Sequence, residues 1–164
     1  MKIKDLRTLY IDGLKDMHSA ETQLIDALPK MADAAHHPEL KKALKEHLDI
    51  TRKQADRLKQ IFSRLEYKPT GETCEAMKGL IKEGEEVIKK SKDPDARDAG
   101  IIMASQKVEH YEIAGYGTLC TWADLLGEKD DEKLLRQTLE EEHGANRTLT
   151  ECAMSGINRD ALEE

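Results

Sequence analysis

Along the chain, apolar residues recur at spacings of three and four, and no stretch alternates with the period of two expected of a strand. That pattern is what helices show when each buries one stripe. It predicts four long helices, at about 3–34, 38–66, 94–126 and 129–154. The stripe of the first runs Tyr10, Leu14, Met17, Glu21, Leu24, Leu28, and that of the second Leu40, Leu44, His47, Thr51, Gln54, Leu58, Ile61. The third reads Ile101, Ser105, Val108, Glu112, Gly115, Leu119, and the fourth Leu135, Thr138, Glu142, Ala145, Leu149, Cys152. A shorter segment, CEAMKGLIKEGEEVIKK (74–90), sets Met77, Leu80, Ile81, Val87 and Ile88 on one side of a further helix between the second and third.

Proline and glycine supply the punctuation. Pro38 and Pro94 fit the first turns of helices, where a missing backbone N–H costs nothing. YKPTGET (67–73) reads as a loop, Gly127 as a helix stop, and Pro29 is expected to bend the end of the first helix. The expected fold is all-α, one helical-bundle domain over 1–164.

Each of the four stripes is apolar near its ends and polar in the middle. Glu21, Glu112 and Glu142 therefore face inward near the middles of their helices. Burying a lone carboxylate costs several kcal/mol unless it is protonated, paired or bound to a metal. No Lys or Arg lies on any stripe, so a shared layer needs protons or a cation, and bundles build such metal sites from facing helices. A purely structural layer, completed by Thr51, Gln54, Thr138 and water, is the competing reading. His47 fits either a hydrogen-bonded core histidine or a ligand.

In KVEHYEIAGYGTL (107–119), at about 100° per residue, Glu112 falls on the buried stripe. Glu109 lies about 60° to one side, at the edge of the core, and His110 about 160° away, facing outward. Gly115 and Gly117 read as close-packing positions. LEEEH offers a Glu140-x-x-His143 resembling a di-iron motif, but Glu140 faces away from the core and His143 sits on a flank, so the match is a decoy.

The 164 residues carry a net charge of −7, with Lys and Glu interspersed, which argues against a nucleic-acid partner. No run approaches the roughly 18 apolar residues of a membrane span, and MKIKDLRTLYIDGL has no apolar signal core. Cys74, Cys120 and Cys152 are odd in number and lack metal-ligand spacing. They fit buried thiols in a reducing cytoplasm. There is no nucleophile elbow and no Gly-rich phosphate loop.

SAETQLIDALPKMA, HLDIT with a downstream RL, KVEHYEIAGYGTL and TLEEE together resemble the YciF-like bacterial stress proteins, over nearly the whole chain. The resemblance implies a ferritin-like four-helix bundle with a short extra helix, associating as a homodimer. The wider ferritin-like group holds two irons on a Glu, a Glu-x-x-His, a Glu or Glu-x-x-Glu, and a second Glu-x-x-His. By position, Glu21, Glu109 with Glu112, and Glu142 match the first, third and fourth of these. Thr51 and Gln54 stand where the second-helix pair would be, and Ala145 where the last histidine would be. His47, one turn before Thr51, is a partial substitute, as is Gln54 through its carbonyl.

Two functions follow. One is a stress protein binding one or two Fe or Mn ions through Glu21, Glu112 and Glu142, helped by Glu109 and His47, with a small oxidant such as peroxide as substrate. The other is a non-enzymatic homodimer that has lost the metal and works through partner contacts, with 74–90 either covering the bundle or making an interface.

Overall fold

The first helix, α1 (Leu6–Ala34), opens on a reciprocal cap: Asp5 Oδ1 accepts from Thr8 N at 2.8 Å, and Thr8 Oγ1 accepts from Asp5 N at 3.1 Å. This computed structural model describes residues 2–162. α1 continues through Pro29 to Ala34. Pro38 begins α2 (Pro38–Leu65), which Glu66 closes in the left-handed region at φ 59°. After the loop come α3 (Glu75–Lys90) and α4 (Pro94–Leu125). The Cys74 sulfur caps α3 and the Asp93 carboxylate caps α4. Gly127, at φ 77°, makes the turn into α5 (Lys129–Cys152). One wide turn, Ala153–Ile157, and the short α6 (Asn158–Asp160) follow.

α1 lies against α2 and α4, and α5 lies against α4 and α2, so the four long helices close a ring in which α2 and α4 are opposite corners. The long α2-to-α4 connection carries α3, which packs on α4 and α1. This is the expected four-helix bundle with a short additional helix, and no strand occurs among the described residues. Gly100 permits the close approach of α3, since a Cβ there would lie 2.3 Å from Val87 Cγ1.

The large apolar residues of the four long stripes are buried and form two clusters, while Ala145 is half-buried, as are Leu80, Ile81, Val87 and Ile88 on α3. One gathers Leu24, Leu28, Leu44, Ile101, Val108 and Leu149. The other gathers Tyr10, Leu14, Met17, Leu58, Leu119 and Leu135. The polar middles of the stripes lie between the two. Gly115 is a close-packing position, since a Cβ would come within 2.5 Å of Met17 Sδ, but Gly117 is not: no heavy atom lies within 4 Å of where its Cβ would be.

Ionic ties outside the bundle centre hold the ends of the helices. Asp98 is fully buried and accepts from His36 N at 2.8 Å and His37 N at 2.7 Å, fixing the α1–α2 turn to α4. Asp131 accepts from Arg64 Nε at 3.0 Å and from the Tyr10 hydroxyl at 3.3 Å.

Candidate metal centre

Between the two apolar clusters, His47 on α2, Glu109 and Glu112 on α4, and Glu142 on α5 point into one space. One ligand atom from each of the four falls within 4.8 Å of all the others. Glu109 and Glu112 are three residues apart on α4, which puts both on one helix face. His47 Nδ1 is 3.2 Å from Glu109 Oε1, and Nε2 is 3.8 Å from Glu142 Oε2. Glu21 on α1 is equally buried but lies outside this set of four, and its Oε1 accepts a hydrogen bond from the Tyr116 hydroxyl.

Glu109 is thus not at the core edge, as its angle on an isolated helix suggests, but fully buried. The ring supplies the reason: α4 is covered by α1, α3 and α5, so its buried arc is wider than one stripe. His110 is exposed, as expected, and so are Glu140 and His143, which confirms the decoy reading of that pair.

The remaining polar stripe residues divide by what they do. Thr51 turns its hydroxyl back to the His47 carbonyl oxygen at 2.9 Å and gives nothing to the cluster. The Gln54 side-chain amide donates to Glu142 and, at 3.2 Å, to Glu141. Arg57 grips Glu141 with two N–H groups at 2.6 and 2.7 Å and donates to Thr138 at 3.1 Å. The basic charge absent from the stripes therefore sits just outside the cluster, on a partner carboxylate that is not a member. Sequence reasoning missed Tyr116 and Arg57. Tyr116 stands four residues after Glu112, the spacing of one helix face, and that signal was available. Arg57 lies one step off the α2 stripe, and nothing in the sequence marked it.

Burial, with the charge of Glu142 next, raises the Glu21 carboxyl well above the ordinary range, against the opposing pull of the Tyr116 hydrogen bond. Glu109 rises for the same first reason, then through its contact with Glu142. Glu112 is raised by burial and by the charges of Glu21, Glu142 and Glu109. Burial lowers His47, against the attraction of Glu142. Without a counter-ion, like charges this close hold protons rather than ionise together.

Shared protons would pair Glu109 and Glu112 with Glu142, and Glu21 with Glu112. When the carboxylates are ionised, both oxygens of Glu109 and both of Glu112 are buried with no donor in hydrogen-bond geometry, as are Glu142 Oε2 and Glu21 Oε2, and His47 Nε2 is likewise unpartnered. Each unsatisfied buried group costs about 1–3 kcal/mol, so this concentration of them needs a chemical reason. One imidazole and three carboxylates suit a hard or borderline divalent ion. Such an ion holds its ligands at about 2.0–2.2 Å, so opposite ligands stand about 4.2 Å apart, and a 4.8 Å cluster would need only a slight closing of its side chains. The residues fit a metal.

Residues 5–162 match the model of a family described as a domain of unknown function, DUF892. Protein YciF of Escherichia coli (strain K12) is 43% identical over 162 residues, covering 98% of each chain. The crystal structure of that E. coli stress protein superposes with a TM-score of 0.91, covering 95% of this chain and 99% of the other. YcfI from Rhodopseudomonas palustris, described as a structural protein, is 44% identical, with a TM-score of 0.88 over 91% of this chain and 95% of that one. A protein from Xanthomonas campestris pv. campestris, 20% identical at a TM-score of 0.76, shares the fold, covering 97% of this chain and all of that one.

Proposed function

The chain belongs to the DUF892 family, and on that footing we propose that it is a stress-response protein whose bundle holds one divalent Fe or Mn ion. His47, Glu109, Glu112 and Glu142 are the ligands. The observation that carries the reading is the set of buried, unpartnered oxygens on Glu109 and Glu112, facing His47 and Glu142. Three carboxylates exceed the charge of one divalent ion by one. The charge left over is held by the Gln54 amide donating to Glu142 and by a proton shared within the layer. Glu21, engaged by Tyr116, borders the site, and its free Oε2 is where a second ion would find a ligand. A bound Fe or Mn ion supplies one-electron chemistry toward a small oxidant such as peroxide. The residues of the chain hold charge and exclude water: the two apolar clusters close the layer from both ends.

Metal analysis tests this. Protein purified without chelator and loaded with Fe²⁺ or Mn²⁺ should retain close to one equivalent, and a Glu109→Gln, Glu142→Gln double variant should retain little. Less than about 0.1 equivalent in the wild type would sink the reading, since a specific site fills nearly completely.

The second reading is a metal-free homodimer with a structural role, its carboxyl layer protonated. Its support is the structural description of the R. palustris relative and the two side chains, Gln54 and Tyr116, that already satisfy part of the layer. A dimer whose assembly and stability are unchanged by metal loading is its signature.

A further inference from the structure

The carboxylates of the cluster are sealed. Glu109, Glu112 and Glu142, and Glu21 bordering them, have no exposed surface, and His47, at 6%, is the member of the cluster that reaches outward. It does so into a groove of about 390 Å³ between α2 and α5. The α5 wall of the same groove includes Gly144 and Ala145, which present little or no side chain. Glu46, Glu141 and Glu151 border the groove, against one basic residue, Arg147. Arg57 holds Glu141, and Lys42 lies 3.7 Å from Glu46, which leaves Glu151 the rim carboxylate with no basic partner among these contacts. At the floor, His47 Nε2 has no hydrogen-bond partner, so that nitrogen does not latch the ring in place. The corresponding groove between α1 and α4, beside Met17 and Tyr111, is lined by no member of the cluster.

We infer that the α2–α5 groove is the path by which a divalent cation reaches the buried cluster, with His47 its first protein ligand and the small side chain of Ala145 the feature that keeps the path open. This rests on the metal-binding reading above. The cation enters the groove, exchanges a water ligand for the His47 imidazole, and passes inward to Glu142 and Glu109, which lie within 3.8 and 3.2 Å of the two ring nitrogens.

The experiment is stopped-flow uptake of Mn²⁺ by metal-free full-length protein, read with a fluorescent divalent-ion indicator. Ala145→Leu and Thr148→Leu each narrow the groove from a different point. Thr118→Leu adds similar bulk in the α1–α4 groove as a control. In parallel, carbethoxylation of His47 by diethyl pyrocarbonate is followed by peptide mass spectrometry in metal-free protein, with exposed His143 as internal reference. The expected result is uptake slowed at least tenfold in both groove variants, with equilibrium affinity within threefold of wild type and the control unchanged. His47 modification should slow in step with uptake. Wild-type uptake with unchanged rates in both groove variants overturns the path while leaving the metal site standing. Wild type that takes up no Mn²⁺ overturns the metal site and the path together.

Discussion

His47 Nδ1 and Glu109 Oε1 stand 3.2 Å apart and join α2 to α4, opposite corners of the helical ring. A contact across the diagonal exists because no larger side chain fills the middle of this layer. The same feature makes the layer unstable by itself and suited to an ion.

Replacing Glu112 by Gln should have effects of opposite sign on the two states. It removes one of several mutually repelling carboxyls. Metal-free protein should therefore gain about 1–2 kcal/mol in urea unfolding with chelator present. Mn²⁺ affinity should fall at least tenfold in titration calorimetry. A variant that is less stable metal-free would refute the repulsion.

The pH dependence of metal-free stability has a definite sign. Glu21, Glu109 and Glu112 have folded pKa values raised above their ordinary range, so the folded state binds protons more tightly. Their contribution is complete below the unfolded value of about 4.3 and is lost as pH rises through the folded values. His47, depressed by burial, acts the other way, but it is one group against three. Urea midpoints with chelator present should fall from pH 5 to pH 7, and Glu112→Gln should flatten the fall.

A second titrating tie lies at the far end of the bundle. The His37 ring meets Asp98 at 2.8 Å, Asp160 at 3.2 Å and Asp95 at 3.8 Å. Burial opposes its charge, but the hydrogen bonds to Asp98 and Asp160 outweigh that and hold its pKa above the ordinary value. The stability it adds is full below about pH 6.5 and disappears as pH rises through the raised value. Ring-proton NMR should place the His37 midpoint above that of a free histidine, and Asp160→Asn should bring it down. An unchanged midpoint in the variant would mean that α6 is not held by this ion pair.

Two glycines of α4 should respond oppositely to alanine. At Gly117 the new Cβ meets nothing within 4 Å, so Gly117→Ala should stabilise by about 0.5–1 kcal/mol through helix propensity. At Gly115 the Cβ would press on Met17 Sδ at 2.5 Å, and Gly115→Ala should destabilise by about 1–2 kcal/mol as Met17 repacks. Thermal melts of the two variants decide it.

The fold was legible because each long helix repeats one spacing over many turns, and proline and glycine mark several of the ends. The inward direction of Glu21, Glu112 and Glu142 came from the same spacing. The composition of the cluster did not. Glu109 and Glu21 are equally buried, and which of them joins His47 depends on how the helices are set against one another in the ring rather than on any one stripe. Gly117 was misread for the same reason: a glycine beside a buried glutamate looks like a packing contact until the opposing surface is known. Tyr116 and Arg57 reach their carboxylates through side-chain length, which periodicity does not record.

The cluster draws its side chains from α2, α4 and α5, so its members come together only through contacts between residues far apart in the sequence. Contacts of that kind close late in folding, after the local helices have formed. A cation held there would leave the refolding rate of the chain nearly as it is and act as a brake on unfolding, lengthening the lifetime of the finished protein.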